Sequence, residues 1–252
     1  MTGGGSGIGR AVARLAAERN ARIGILDRDA EAASSAASEA LTRGAAAAEG
    51  LRCDVTSESE INEALAALET ALGPPTGLFA SAGIDIGGFA HELRLDTWQQ
   101  VLATNLTGTF LSSRAVIRAM LASGHGGSVV CCSSPAAFVG FAAGAASAYS
   151  ASKGGISALV RSLAVDYARY GIRVNALVPG PTETPLMWAN VREADRPATL
   201  SAIQAEVPLG RLADPDEPAR AALWLLSSES SYVTGSHLVC DGGVLAKASI
   251  SV

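Results

Sequence analysis

Tyr149 and Lys153 are the pair of residues in this sequence with the clearest capacity for chemistry. Side chains four residues apart on a helix share one face, so a helix here would place the lysine ammonium beside the phenol. A tyrosine normally keeps its proton up to about pH 10, too tightly for proton exchange near neutrality. Because a neighbouring cation favours the phenolate, we expect Lys153 to lower the pKa of Tyr149. The pair could then serve as a general acid or base.

A glycine-rich loop opens the chain, in Thr2-Gly3-Gly4-Gly5-Ser6-Gly7-Ile8-Gly9. Three of its glycines follow the spacing G-x-x-x-G-x-G and lead into an amphipathic stretch. Glycines let the backbone approach a pyrophosphate closely, and the N-terminus of a helix offers free N–H groups with positive partial charge. The spacing therefore predicts a dinucleotide site, with a flexible glycine-rich tail as the alternative interpretation.

Two aspartates end predicted strands at positions that suit a bound nucleotide. Asp27 lies 18 residues after Gly9, where a carboxylate would bond an adenosine ribose and repel a 2′-phosphate. It therefore favours NAD over NADP, although it could be only a turn or helix-start aspartate. Asp54 would lie near the adenine ring, and a helix-capping role is the alternative.

The composition narrows the class of ligand. With 48% hydrophobic and only 17% charged residues, the 252-residue chain can bury the core of one α/β domain. A net charge of -5 argues against nucleic acid or an anionic membrane as main partner, which leaves a small molecule. The four cysteines and three histidines lack ligand spacing, so no metal is expected. Without a membrane span or a signal peptide pattern, a cytoplasmic location is predicted.

Short apolar runs alternate with longer helical stretches, as in repeated β-α-β units around a parallel sheet. We expect strands at Arg22–Asp27, Gly50–Asp54, Gly77–Ser81, Ser128–Ser133, Ile172–Val178 and His237–Cys240. We expect helices at Ile8–Arg19, Ala30–Thr42, Glu58–Leu72, Thr97–Leu121, Ala148–Tyr170 and Asp216–Leu226. The prediction is an α/β fold, a doubly wound parallel sheet of the Rossmann type, as a single domain over residues 1–252. The irregular segment 181–208 is predicted to be a lid over the substrate.

One element that this fold requires is not found in the sequence. A dinucleotide-binding loop normally follows a buried strand at the centre of the sheet. Only Met1 precedes the loop here. Two interpretations follow: either the true start of the chain lies upstream, or the protein lacks this core strand and is less stable.

Several motifs, taken in order, resemble those of the short-chain dehydrogenase/reductase family across nearly the whole chain. They are Thr2–Gly9, Ser81-Ala82-Gly83, Asn105, Ser133-Ser134, Tyr149–Lys153, Pro179-Gly180, Tyr232–Gly235 and Asp241–Gly243. Two features depart from the family pattern. Ser81 stands where the family usually has asparagine, and the stretch from Ser134 to Tyr149 is about two residues longer than usual, which could shift the role of Ser134 to Ser133.

The resemblance implies a role for each matched residue. Tyr149 would be the acid/base, Lys153 would lower its pKa and hold the nicotinamide ribose, and Ser134 would bond the substrate oxygen. Asn105 would fix a water that links Lys153 to solvent. Cofactor contacts are expected from Gly3, Gly5, Ser6, Gly7, Ile8, Gly9, Asp27, Asp54, Val55, Ser81, Ala82, Gly83, Tyr149, Lys153, Pro179, Gly180 and Thr184.

The predicted activity is hydride transfer between NAD and a secondary alcohol or ketone. Leu186, Met187 and Trp188 suggest an apolar pocket and so an alicyclic or similarly hydrophobic alcohol. The resemblance also implies a homo-oligomer, a tetramer or a dimer. Two alternatives are an NADP-dependent 3-oxoacyl-type ketoreductase and a non-catalytic dinucleotide sensor or scaffold. The sensor would be expected to lack Tyr149, Lys153 or Ser134, and all three are present.

Overall fold

Parallel strands form the centre of this computed structural model, which describes residues 1–141 and 144–247. The strands are β1 (Arg22–Asp27), β2 (Ala47–Arg52), β3 (Gly77–Ala80), β4 (Gly127–Cys132), β5 (Ile172–Pro179) and β6 (His237–Cys240). They pair in the order β2-β1 and β3-β4-β5-β6, and every pairing is parallel.

Helices cover both faces of these strands. They are α1 (Gly7–Ala17), α2 (Ala30–Thr42), α3 (Glu58–Leu72), α4 (Leu95–Leu102), α5 (Gly108–Ser123), α6 (Ser147–Tyr167), α7 (Pro185–Trp188), α8 (Arg196–Glu206) and α9 (Asp216–Leu226). Apolar side chains of α5 and α6 pack on one face of β3–β5, and those of α1 and α9 pack on the other. Strands covered on both faces are expected to be continuous apolar runs, as in β4 and β5. The predicted doubly wound α/β fold is confirmed.

The second strand, Ala47–Arg52, begins three residues and ends two residues earlier than the predicted Gly50–Asp54. Its first residues are alanines, whose small side chains give a weak apolar pattern, so the sequence points too far along the chain. Gly50 then lies inside β2. A Cβ at this position would lie only 2.2 Å from the carbonyl oxygen of Ala33, so the glycine is what lets α2 pack against the strand.

The predicted helix Thr97–Leu121 is interrupted. A π-helical turn at Ala103–Thr107 separates α4 from α5. Such a turn contains one residue more than an α-helical turn and re-aims the side chains around it. Its buried central residue is Asn105. The segment 181–208, predicted to be irregular, contains α7, a short 3-10 turn and α8, none of which has a buried residue.

Thr2 bridges the two groups of strands. It pairs in parallel with Leu26 of β1 and with Ala80 of β3. Its N–H donates to the carbonyl of Phe79 at 3.1 Å. Since strand order runs outward in both directions from Thr2, this residue marks the switch point where such folds bind ligands.

A cavity of about 420 Å³ continues from Met1 between β1 and β3. Apolar side chains from both faces line it, including Ile23, Leu68, Leu78 and Val116. The amino group of Met1 donates to the carbonyl of Gly24 at 2.6 Å. Burial lowers the pKa of this amine to about 6, since a charge is costly in such surroundings.

Within residues 1–141 and 144–247, none of the helices has both the length and the apolar character needed to span a membrane.

Candidate active site

Helix α6 carries the predicted acid/base pair. Tyr149 and Lys153 lie one turn apart, and the Lys153 Nζ atom is 5.4 Å from the centre of the Tyr149 ring. Lys153 is only 3% exposed, and its ammonium donates to the carbonyl oxygen of Cys132 at 2.7 Å. That carbonyl belongs to the last residue of β4. The strand end therefore fixes the ammonium beside the phenol.

The direction of the Tyr149 pKa differs from the prediction. Burial raises the pKa of the phenol above its ordinary value, and this effect outweighs the opposing charge of Lys153. A hydrogen bond from Ser134 also lowers the Tyr149 pKa, whereas the nearby Cys132 and Asp85 raise it. The predicted net lowering of the Tyr149 pKa is therefore wrong for the protein chain by itself. The four-residue spacing indicates a nearby cation but does not indicate that the phenol is buried. Lys153 and Ser134 are the groups that favour the phenolate.

A titration of the cofactor-free protein should reveal this raised pKa. We expect no tyrosinate absorbance from Tyr149 between pH 6 and its ordinary pKa of about 10. The measurement is the ultraviolet difference titration of the wild type against Tyr149→Phe. Lys153→Met should move the ionisation to still higher pH, because it removes a charge that favours the phenolate. A Tyr149 transition near neutral pH in the wild type would contradict the stated balance of effects.

The two serines after β4 have different surroundings. The hydroxyl of Ser133 contacts α6, at 3.3 Å from the Lys153 carbonyl and 3.0 Å from the Ser157 hydroxyl. Ser134 instead accepts from the N–H of Ala136 and acts on the Tyr149 phenol. The longer stretch between Ser134 and Tyr149 therefore does not move Ser133 into the position facing the phenol.

Asn105 holds the loop after β3 against α6. Its Oδ1 accepts from the N–H of Ile84 at 2.8 Å, and its Nδ2 donates to the Ile84 carbonyl at 2.9 Å. The same Nδ2 lies 3.1 Å from the hydroxyl of Ser152, next to Lys153. Since the amide is occupied by these contacts, we assign Asn105 a positioning role. A water fixed by this residue stays a prediction.

Asn105→Ala should destabilise the protein and impair activity together. The change leaves the N–H and carbonyl of the half-buried Ile84 without their side-chain partner, a loss of about 2 kcal/mol in the free energy of unfolding. Chemical denaturation would measure that loss. Asn62→Ala, on the exposed side of α3, is the matched control and should have little effect. Equal unfolding free energies for Asn105→Ala and wild type would contradict the role given to this side chain.

The glycine loop forms the start of α1 at the switch point. Gly3 and Gly7 have positive φ angles, which suit glycine. A Cβ on Gly9 would lie 2.2 Å from the Gly3 carbonyl oxygen, so no larger residue fits there. Ser6, at the N-cap of α1, makes no side-chain capping hydrogen bond. The N–H groups of Gly7, Ile8 and Gly9 in the first turn therefore remain for a ligand.

Asp27 is tied to this loop. Its Oδ2 accepts from the Gly5 N–H at 2.9 Å, and its Oδ1 accepts from the Asp29 N–H at 3.1 Å. A Cβ on Gly5 would approach the carboxylate to 2.9 Å. The carboxylate thus lies directly beside the glycine loop at the end of β1, where the sequence places it.

Further predicted residues lie close to the glycine loop or to Lys153. Ser81 donates to the Thr2 carbonyl at 2.8 Å, so the residue in place of asparagine supports the centre of the sheet. Ala82 and Gly83 follow, and a Cβ on Gly83 would lie 3.8 Å from the Lys153 Nζ. On the opposite side, Thr184 approaches Gly7: a Cβ there would lie 3.2 Å from its methyl group.

Pro179 is the last residue of β5, and Gly180 follows it. The N–H of Gly180 donates to the Cys240 carbonyl at 3.0 Å. A Cβ on Gly180 would lie 2.6 Å from the Cα of Asp241, so the turn requires glycine. The fixed turn leads the chain back towards Thr184.

Asp54 and Val55 are less available than predicted. The Asp54 carboxylate accepts from the N–H and the hydroxyl of Thr56, and these bonds hold its pKa below the ordinary value. Ser57 caps α3, so Asp54 stabilises the preceding turn rather than the helix. The side chain of Val55 is buried against Gly108, which leaves only its backbone for a ligand.

Two residues at the site were not predicted. Asp85 lies close to Tyr149 and Lys153. Its charge raises the pKa of Tyr149, and the Lys153 charge lowers the pKa of Asp85. Asn190, in the segment 181–208, donates to the Asp85 carbonyl at 3.0 Å. The sequence does indicate Asp85, as an acidic residue shortly after the end of β3. Nothing local in the sequence indicates Asn190, because its contact joins positions far apart in the chain.

These residues fit a nicotinamide dinucleotide. The uncapped start of α1 suits a pyrophosphate, Asp27 suits a ribose, and Lys153 lies between the loop after β3 and Tyr149. In the described part of the chain, no three or more His, Cys, Asp or Glu residues come together in a way that could hold a metal ion.

Comparison with known proteins identifies the class. A family model described as enoyl-(acyl carrier protein) reductase matches residues 3–245. The 2-(S)-hydroxypropyl-CoM dehydrogenase 3 of Xanthobacter autotrophicus is 38% identical over 247 residues, 98% of this chain and 95% of that protein.

Solved structures agree with this class. A short-chain type dehydrogenase/reductase from Mycobacterium marinum superposes with a TM-score of 0.91 at 32% identity, over 98% of this chain and 94% of that one. A variant of actinorhodin polyketide ketoreductase with NADPH has a TM-score of 0.90 at 34% identity, over 97% and 95% of the two chains. The chain belongs to the short-chain dehydrogenase/reductase family and is an oxidoreductase.

Proposed function

We propose that this protein is an NAD-dependent dehydrogenase that interconverts a secondary alcohol and a ketone. The observation that carries the proposal is the arrangement of Tyr149, Lys153 and Ser134 at the carboxyl ends of the strands, beside the glycine loop. Similar proteins support it: one is a dehydrogenase of a 2-hydroxypropyl compound, and a structural neighbour is a ketoreductase.

Each residue of the site has its own role in the proposed reaction. A bound nicotinamide dinucleotide supplies hydride chemistry at the substrate carbon. Tyr149 transfers the proton of the substrate hydroxyl, and Ser134 donates a hydrogen bond to the oxygen as charge develops on it. Lys153 favours the phenolate and holds the ribose. Because the surroundings raise the Tyr149 pKa, the phenol of the chain alone is neutral and suited to donating a proton to a ketone.

Asp27 is the basis for NAD as the cofactor. A 2′-phosphate beside this carboxylate would meet like charge, whereas ribose hydroxyls can donate to it. The NADPH in one similar structure makes the opposite preference a real alternative. We expect kcat/KM to be higher with NAD than with NADP by about 10-fold or more, and Asp27→Asn to reduce the ratio. A preference for NADP in the wild type would instead support the ketoreductase alternative.

The deciding experiment is the initial rate of NAD reduction over a panel of secondary alcohols that includes cyclohexanol. Turnover supports the proposal. Binding of NAD without turnover of any alcohol or ketone would support the sensor or scaffold. The expected apolar lining around Leu186 and Trp188 predicts better turnover of alicyclic than of small polar alcohols.

The segment 181–208 is proposed as a lid, because it joins the glycine loop through Thr184 and the loop after β3 through Asn190. A homo-oligomer is proposed as well. Phe110 and Leu121 of α5 and Val165 of α6 are 39%, 38% and 80% exposed on helices expected to pack between subunits. Light scattering that gives the mass of one 25.5 kDa chain would contradict the oligomer.

A further inference from the structure

The carboxylate of Asp85 is a polar group near Tyr149 that the mechanism above leaves unused. Its Oδ1 atom is buried and has no hydrogen-bond partner among residues 1–141 and 144–247. An unpaired buried acceptor is costly, so most such atoms in folded proteins find a donor. A bound ligand would be a natural source of that donor.

The position of this carboxylate is fixed by its neighbours in the chain. The preceding Ile84 is held at both its N–H and its carbonyl by Asn105. A Cβ on Gly83, one residue earlier, would lie 3.8 Å from the Lys153 Nζ atom. The carbonyl of Asp85 accepts from Asn190 of the proposed lid. Asp85 therefore lies between the acid/base helix and the segment expected to cover the substrate.

The electrostatic effects agree with that position. Burial raises the pKa of Asp85, and the Lys153 charge lowers it. The Asp85 charge in turn raises the pKa of Tyr149. Yet the Lys153 ammonium donates to the Cys132 carbonyl rather than to this carboxylate. Asp85 thus influences the reacting groups through its charge, but its Oδ1 atom makes no hydrogen bond to them.

We infer that Asp85 accepts a hydrogen bond from a second hydroxyl group of the substrate, so that diols and polyols are preferred to simple alcohols. A hydroxyl supplies the donor that Oδ1 lacks, while a carboxylate or sulfonate on the substrate would bring like charge. Anionic alcohols are therefore disfavoured. This inference rests on the proposed function and names its substrate class.

The test compares kcat/KM for cyclohexanol with that for cyclohexane-1,2-diol and cyclohexane-1,3-diol. Wild type should prefer the better diol by about 10- to 100-fold, as expected for a hydrogen bond to a charged group. Asp85→Leu has a side chain of similar size and should lose that preference while still oxidising cyclohexanol. Asp85→Asn keeps an acceptor but not the charge. It should keep part of the preference and oxidise 3-hydroxycyclohexanecarboxylate better than wild type does.

Glu92→Gln is the matched control, since it removes an exposed negative charge from the same loop and should leave the diol preference unchanged. Melting temperatures will show whether each variant folds, and Asp85→Asn carries the test if Asp85→Leu does not. An equal diol preference in wild type and variant would overturn the inference and leave the proposed function standing. The inference would also be overturned, and the proposed function would stand, if 3-aminocyclohexanol were the best substrate and the diols were no better than cyclohexanol. If no alcohol is oxidised, both fail.

Discussion

Tyr149→Phe is expected to lower kcat for alcohol oxidation by about 1,000-fold, within the range for loss of a general acid or base. The ring remains in place, so packing and the surroundings of Lys153 should change little. Binding of NAD, measured by isothermal titration calorimetry, should stay close to that of the wild type. The loss would then lie in proton transfer rather than in cofactor binding.

Tyr167→Phe is the matched control, because it makes the same chemical change on the same helix. The two tyrosines are about 27 Å apart along α6, at 1.5 Å per residue. Tyr167→Phe should retain wild-type kcat. If Tyr149→Phe also retained it, Tyr149 would not be the acid/base, whatever its distance from Lys153.

An N-terminal extension that fills the cavity between β1 and β3 is expected to increase the free energy of unfolding. The register of Thr2 with Leu26 and Ala80 shows that a chain continued before Met1 would run parallel to both strands. An engineered extension Ile-Val-Leu-Val would bury apolar side chains, each contributing about 1.5–3 kcal/mol against about 1–2 kcal/mol for ordering the backbone. A net gain of about 3 kcal/mol should raise the melting temperature by about 10 °C.

An extension Ser-Asp-Ser-Asp of the same length is the control. It offers the same backbone hydrogen bonds, but its charges are costly to bury in an apolar cavity. Differential scanning calorimetry of both extended chains would compare them. Equal melting temperatures would show that the cavity does not accept a strand.

The local parts of the site were predictable from sequence, because they depend on spacing within one element. Tyr149 and Lys153 share a face of α6, and the loop to Gly9 leads into α1 as its glycines indicate. The features that were missed depend on contacts between distant positions. The raised pKa of Tyr149 comes from burial, which no spacing reveals.

The errors in the fold have two different causes. The alanines of β2 gave a weak apolar pattern, so the strand was placed late. The π-helical turn contains Asn105, whose side chain bonds Ile84, 21 residues away in sequence, and no local pattern indicates that contact. The importance of Asp85 depends on an unpaired oxygen near the acid/base pair, which the sequence does not show.

The central claim, that this chain moves hydride between a secondary alcohol and NAD, is tested most directly with cyclohexanol deuterated at its carbinol carbon. Wild-type enzyme should transfer the deuterium to the nicotinamide ring of the reduced cofactor, as detected by mass spectrometry, with cyclohexanone as the other product. Cyclohexanone formed without deuterium in the cofactor, or no reaction at all with intact folded protein, would contradict the account.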